Sequence, residues 1–200
     1  MKYTVFVLFV FCYLAHGQTD DTADTPEEET PVVNNVIDDH GYVSYTRMCN
    51  HIPGHTVEYK VYTDEVFWAD AEAYCHDNLG GNLARIPDEE TYVYMLQYLI
   101  DSGAADDVAT GFWIGLNDIR NEGVYTWSNG GSFCQNVTAL PWGAGEPNNN
   151  EKLREEGQDC IQLRKSQAFA LDDDYCDHRA KGFICEIPVC VNYHECNVCR

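Results

Sequence analysis

Basic residues are scarce in this chain: 12 Lys and Arg stand against 33 Asp and Glu, a formal net charge of −21. Nucleic acids and anionic membrane surfaces are held by a basic face, so the charge argues against both as partners. Long apolar runs are missing too. Beyond the N-terminal residues no segment approaches the 18 apolar residues that a bilayer-spanning helix needs, which excludes membrane insertion by a later segment. The chain also lacks a Ser-His-Asp set, a phosphate loop and a Cys-His pair. Without those patterns for covalent or nucleotide chemistry, it reads as a binding protein and not an enzyme. No internal repeat is present.

Met1 and Lys2 precede an apolar run from Val5 to Leu14 and the exit Ala15-His16-Gly17. This is the make-up of a secretory signal peptide spanning 1–17, cut before Gln18, and it predicts a soluble, extracellular product. Ten cysteines agree with that compartment. Cys12 leaves with the signal peptide, and nine remain: Cys49, Cys75, Cys134, Cys160, Cys176, Cys185, Cys190, Cys196 and Cys199. In a secreted chain these are disulfide cysteines first. Nine is an odd number, so at least one is free or joins a second chain, which makes a disulfide-linked oligomer an expectation. Asn136-Val137-Thr138 is a sequon, a candidate N-glycan acceptor on an exposed loop.

Residues 18–41 hold eight carboxylates, two prolines and no Lys or Arg. Such a composition cannot bury enough apolar surface to offset the entropy of ordering, so 18–48 is expected to be an acidic, disordered leader. From Cys49 the chain becomes globular, and the domain is placed at 49–188, with a Cys-rich tail at 189–200. Thr56 to Tyr62 reads as a strand. Asp64 before Phe67, Trp68, Ala71, Tyr74 and Cys75, with Gly80-Gly81 beyond, reads as a capped amphipathic helix. Pro87-Asp88-Glu89-Glu90 opens a second helix, with Val93, Leu96, Leu99 and Ile100 as its apolar face and Gly103 as its stop. Short strands follow at 112–116, 124–127, 160–163, 168–171 and 182–187. Strand, two helices, then several strands indicates an α+β domain.

Between Trp127 and Cys160 lies a long stretch rich in Gly, Asn and Pro. A loop of that length inside a compact domain is commonly functional. With the residues that follow, it sets out Glu146, Asn148, Gln158, Asp172 and Asp173 among Cys160, Cys176 and Cys185. Carboxylate and amide oxygens without thiolate or imidazole suit a hard cation, so calcium is the expected cofactor.

Four features then coincide in order. Phe112-Trp113-Ile114-Gly115-Leu116, Glu146-Pro147-Asn148, Asp172-Asp173 three residues ahead of a cysteine, and the cysteines 75, 160, 176 and 185 resemble the C-type lectin domain family. The resemblance covers about residues 49–188. It implies a C-type lectin-like fold, two helices on short antiparallel sheets with a long calcium-binding loop. It also implies the pairs Cys75–Cys185 and Cys160–Cys176. Phe112, Trp113, Ile114 and Leu116 would be core, with Gly115 leaving room for a neighbour.

By the same resemblance Glu146, Asn148, Gln158, Asp172 and Asp173 hold calcium. Glu146, Asn148, Gln158 and Asp172 also meet two vicinal sugar hydroxyls, and Glu146–Pro147 is cis. Asp118, Glu122, Asn149 and Asp159 match the family's auxiliary calcium site, with a solvated acidic turn as the plain alternative. The chain departs from the family pattern in three places: Gln158 stands for a Glu, Asp172 for an Asn and Leu171 for a Trp. The first two changes together conserve charge and reverse hydrogen-bond polarity on one side. The tripeptide therefore implies mannose-type glycans, while the whole pattern leaves galactose-type open. A loop four residues longer after Asn148 makes Glu155 or Glu156 an alternative to Gln158. In the tail, Cys190, His194, Cys196 and Cys199 are spaced for zinc or for disulfides, and a secreted chain favours disulfides.

The expected function is that of a secreted, calcium-dependent carbohydrate-binding protein. The rival is a matrix protein that uses the same fold to bind protein or mineral.

Overall fold

A computed structural model of the chain describes residues 35–37, 43–52 and 55–189, less 132, 134–139 and 180, with side chains between 57 and 188. The expectations for residues 1–17, for the side chain of Cys49, and for Cys134, Asn136, Cys190, His194, Cys196 and Cys199 lie outside the described residues.

In chain order the elements are β1 (Asn35–Ile37), β2 (Val43–Ile52), β3 (His55–Tyr62), α1 (Trp68–Leu79), β4 (Asn82–Leu83), α2 (Glu89–Asp101) and α3 (Ala104–Asp107). There follow β5 (Gly111–Asn117), β6 (Thr126–Trp127), β7 (Cys160–Arg164), β8 (Ala170–Asp174) and β9 (Gly182–Val189). The sheet runs β1-β2-β3-β9-β5-β7-β8, with β4 on β9 and β6 on β5. β5 and β9 pair in parallel, and the other pairs are antiparallel. Helices set beside a mixed sheet give the α+β class.

The sheet begins earlier than the sequence suggests. β1 and residues 43–48 of β2 fall in the stretch assigned to a disordered leader, yet β2 pairs with β3 from Ser44↔Tyr62 to Cys49↔Val57. The last acids of that leader are Asp38 and Asp39, and Val43-Ser-Tyr-Thr beyond them alternates β-branched, aromatic and hydroxyl residues as a strand does.

The segment Gly111–Asn117 is buried along its whole length because it lies between β9 and β7 with side chains covered on both faces. The Trp113 indole donates to Val66 O at 3.1 Å, and that of Trp68 to Ile114 O at 2.9 Å, so the two large rings enter the core with no unmet donor. Gly115 leaves room for a neighbour, as expected. A Cβ there would stand 2.6 Å from Leu83 O and 2.8 Å from Ser128 Oγ.

Both implied disulfides are present. Cys75–Cys185 ties α1 to β9 across 110 residues, and Cys160–Cys176 ties the start of β7 to the chain beyond β8 across 16. By loop-closure entropy they restrict the unfolded chain by roughly 4–5 and 3 kcal/mol.

Two helix details differ from the sequence pattern. Asp64 does not cap α1; Phe67 is its N-cap and makes no side-chain cap bond. The exposed donors there meet tertiary partners instead, with Val66 N on Lys181 O and Trp68 N on Cys176 O, both at 3.1 Å. In α2, Asp88 does cap, accepting from Thr91 N at 2.8 Å. The buried face, however, is Thr91, Tyr92, Met95, Tyr98 and Leu99, while Val93 and Ile100 are 56% and 61% exposed. The tyrosines win that face because a tyrosine buries a large apolar ring while its hydroxyl offers a polar handle. Tyr92 Oη, for example, donates to Phe169 O at 3.0 Å.

Candidate functional site

β7 and β8 pair in the register Cys160↔Asp174, Gln162↔Asp172 and Arg164↔Ala170. Over this hairpin folds the long segment between β6 and β7. Leu171, where the resemblance would have Trp, receives it: Gly143 N donates to Leu171 O at 2.8 Å, and Leu171 N to Pro141 O at 2.9 Å. Trp142 closes the contact, its ring 5.1 Å from that of Tyr125.

The segment then turns at Glu146–Pro147, whose peptide bond is cis. Beyond it, Asp173 takes up the backbone. Asn148 N donates to its two carboxylate oxygens at 3.0 and 3.1 Å, and Asn149 N to Oδ2 at 2.6 Å. The Asn148 side-chain amide donates to Glu146 Oε2. Asn149 has φ of +39°, a left-handed conformation that Asn tolerates. Its Oδ1 accepts from Gln158 N at 2.8 Å. Gly157 has to be glycine, because its φ is +85° and a Cβ there would overlap the Asn149 amide.

Glu146, Asn148, Asp172 and Asp173 are thus gathered where the loop crosses β8. Gln158 stands one step away: its Oε1 accepts from Asn150 N at 2.9 Å, and its Nε2 reaches Asp174 Oδ1 at 3.4 Å. Glu155 and Glu156, the alternatives to it, are exposed. Burial, with Asp172 and Asp173 beside it, pushes the Glu146 carboxyl up from 4.5 to about 7. Concentrated negative charge on oxygen donors is the chemistry that a hard divalent cation satisfies. Among the described residues, however, no three His, Cys, Asp or Glu side chains are grouped as a finished metal cage. The carboxylate oxygens are turned onto N–H donors instead.

Sequence reasoning missed three of the side chains involved. Gln162 Nε2 donates to Asp172 Oδ2 at 2.6 Å and to Asp174 Oδ2 at 3.1 Å. Arg164 Nη1 donates to Asp172 Oδ1 at 2.7 Å. Asp174 lies under the site, where Lys181 Nζ approaches its Oδ2 at 2.7 Å and His178 Nδ1 at 2.9 Å. Lys181 is fully buried, its ammonium 4.4 Å from the centre of the Trp113 ring. Burial pushes its pKa down against the pull of Asp174, while Asp174 sits below its ordinary value: burial acts to raise it, but Lys181 and the donors around it outweigh that. The available signal was strand alternation, since 162 and 164 share a face of β7 with 172 and 174 of its partner.

The second group is also brought together. Asp118 N donates to Asp159 O at 3.1 Å, and Asp118 Oδ2 accepts from Gly123 N at 2.8 Å. Asp118 Oδ1 is buried and has no hydrogen-bond partner. Burial, aided by Glu122 and Asp159, raises the Asp118 carboxyl from 3.8 to about 6. Glu122 is raised by burial and then by Asp159 and Asp173, with Asn149 beside it pulling the other way. An orphaned buried carboxylate oxygen costs about 1–3 kcal/mol unless something pairs with it. Among the described residues these acids, like the first group, are not drawn together as a finished metal cage, but an unpaired buried carboxylate oxygen is the kind of group a cation would satisfy.

Comparison with known proteins agrees with this architecture. The family model described as the Lectin C-type domain matches residues 64–187. A "C-type lectin" of Micrurus corallinus is 30% identical over 128 residues, 64% of this chain and 74% of that protein. The "Low affinity immunoglobulin epsilon Fc receptor" of Mus musculus is 29% identical over 119 residues, 60% of this chain but 30% of the receptor. Among solved structures, the mouse scavenger receptor C-type lectin carbohydrate-recognition domain superposes with a TM-score of 0.56 at 25% identity, covering 70% of this chain and 95% of that domain.

Proposed function

The chain belongs to the C-type lectin domain family, and from that premise we propose that it is a secreted, calcium-dependent carbohydrate-binding protein. The family is one of binding domains, not enzymes. The observation that carries the reading is the meeting of Glu146, Asn148, Asp172 and Asp173 at the cis Glu146–Pro147 turn, all four tied to β8 or to one another.

Calcium would be held by Glu146, Asn148, Asp172 and Asp173, with Gln158 entering from Asp174. A second ion would be held by Asp118, Glu122, Asn149 and Asp159. When bound, calcium supplies coordination positions for two vicinal hydroxyls of a sugar. The rest falls to the chain. Glu146 and Asp172 would accept hydrogen bonds from the hydroxyls, and the Asn148 amide would donate to a hydroxyl oxygen. Asp173 keeps the loop in place through Asn148 N and Asn149 N, and Cys160–Cys176 pins the hairpin beneath. Because the backbone that carries these groups is already tied down, little backbone ordering entropy would be lost on binding. Two disulfides fit an oxidising, extracellular compartment, and the basic start and short apolar core of residues 1–17 support export.

The glycan class is mannose-type or galactose-type, and free-sugar competition at saturating calcium tests it. If Gln158 and Asp172 act as a coupled reversal, Gln158→Glu with Asp172→Asn shifts preference toward mannose, and each single variant binds worse than the double. Failure of every monosaccharide to compete would favour the rival protein- or mineral-binding role, for which the net charge of −21 is the supporting feature.

A further inference from the structure

Arg164 has no part in the ligand set above, yet its guanidinium lies against two members of that set. Nη1 is 2.7 Å from Asp172 Oδ1 and 3.7 Å from Glu146 Oε1, and Nε donates to Ser166 Oγ at 3.0 Å. The carboxylates are almost wholly buried, with side chains 3% and 6% exposed, while the Arg164 side chain is 40% exposed. The placement follows from the sheet. Arg164 pairs with Ala170, and from there a long side chain reaches diagonally to Asp172 two positions on. With Gln162 on Asp172 Oδ2, the Asn148 amide on Glu146 Oε2 and two backbone N–H groups on Asp173, each carboxylate oxygen of the set faces a nitrogen donor. Arg164 is the one full positive charge among those donors.

Resting on the calcium-site reading above, we propose that Arg164 is a built-in counter-cation that competes with calcium for Glu146 and Asp172. Fully ionised, as calcium would need them, the three carboxylates carry −3, and Arg164 reduces the local sum to −2. A guanidinium keeps its charge throughout the working pH range, so the competition cannot be relieved by deprotonation. For calcium to reach both carboxylates, the fork must leave them, and its exposed side chain has solvent to move into. The guanidinium also holds Glu146 and Asp172 together when calcium is scarce. The site would then load only above a calcium threshold set by Arg164, higher than its oxygen count alone implies.

The test is a calcium titration of the full chain by calorimetry, for the wild type, Arg164→Gln and Arg164→Lys, with melting temperatures read in chelator and in calcium. Like charges a few ångströms apart at a protein surface repel, so Arg164→Gln should bind calcium about tenfold more tightly. Its melting temperature should fall in chelator and recover in calcium. Arg164→Lys keeps the charge and should stay near wild type. If the wild type binds no calcium and Arg164→Gln does, the counter-cation is supported while the wild-type calcium reading fails. If the wild type binds and Arg164→Gln binds equally or more weakly, Arg164 does not compete, and the calcium reading stands. If neither binds, both ideas are overturned.

Discussion

Replacing Asp173 by Ala removes the acceptor for Asn148 N and Asn149 N in one step. A hydrogen bond to a charged acceptor is worth about 1.5–3 kcal/mol, and the forked pair from Asn148 N counts as one. The gross loss is then about 3–6 kcal/mol, partly offset because one of three crowded carboxylates is gone and the freed N–H groups can turn to water. A net cost of about 2–3 kcal/mol in calcium-free protein corresponds, for a chain of this size, to a melting temperature lower by about 4–12 °C.

The calcium arm is the sharper one. With a dissociation constant typical of extracellular modules, about 10⁻⁴–10⁻³ M, about 10 mM calcium stabilises the wild type by about 1.4–2.7 kcal/mol. That is a rise of about 3–10 °C. In Asp173→Ala the share of the rise owed to this ion should vanish, leaving at most what a second ion at Asp118, Glu122, Asn149 and Asp159 supplies. Scanning calorimetry in calcium and in chelator reads both arms, and far-UV circular dichroism with non-reducing mass analysis checks that the fold and both disulfides survive. A variant that keeps the wild-type rise on adding calcium would refute the assignment of Asp173 as a ligand.

Two further outcomes follow from buried groups. Gly115→Ala places a methyl group 2.6 Å from the Leu83 carbonyl oxygen, a backbone atom that cannot swing away, so it should destabilise by about 1–3 kcal/mol in denaturant titration; an unchanged midpoint would mean that β4 is not held against β5 as described. The calcium-free protein should gain stability on mild acidification. Glu146 and Asp118 are raised to about 7 and about 6, so the folded chain keeps protons that the unfolded chain has released. That stabilisation is complete below the unfolded values and is lost as pH rises through the folded ones, so stability in chelator should climb from pH 7.5 to pH 5.5 by something on the order of 1–3 kcal/mol, read as a rising melting temperature. A steady fall over that window would contradict it.

Much of the framework was legible because it rests on local pattern. β3, β5, β7 and β9 coincide with short apolar or β-branched runs, β6 with the end of one, and α2 starts at a Pro-Asp signal that does cap. β8 begins two residues later than the run at 168–171 suggests, because Ala168 and Phe169 turn with positive φ, and it continues through three aspartates. The cysteine pairs and the order of the Glu146, Asp172 and Asp173 motifs came from resemblance, and the folded chain brings the motif residues together. What escaped depends on tertiary partners. α1 is closed by Cys176 O and not by a local cap, and its start therefore has no signature in the sequence. α2 buries tyrosines where aliphatic periodicity pointed to Val93 and Ile100, because the hydroxyl makes a residue that buries its ring pass for polar in a pattern. β4 is two residues long and exists only because β9 lies beside it. Gln162, Arg164 and Asp174 carry no motif; their meeting follows from the β7–β8 register, which a single sequence does not state.

The central claim is that this chain binds sugar through calcium held at Glu146, Asn148, Asp172 and Asp173. The most direct measurement is retention of the purified full chain on immobilised mannose and galactose, loaded in millimolar calcium and then washed with chelator. Retention on one of the two, released by chelator and restored by calcium, is the predicted result. Undiminished retention in excess chelator, or no retention on any glycan under saturating calcium, would contradict it.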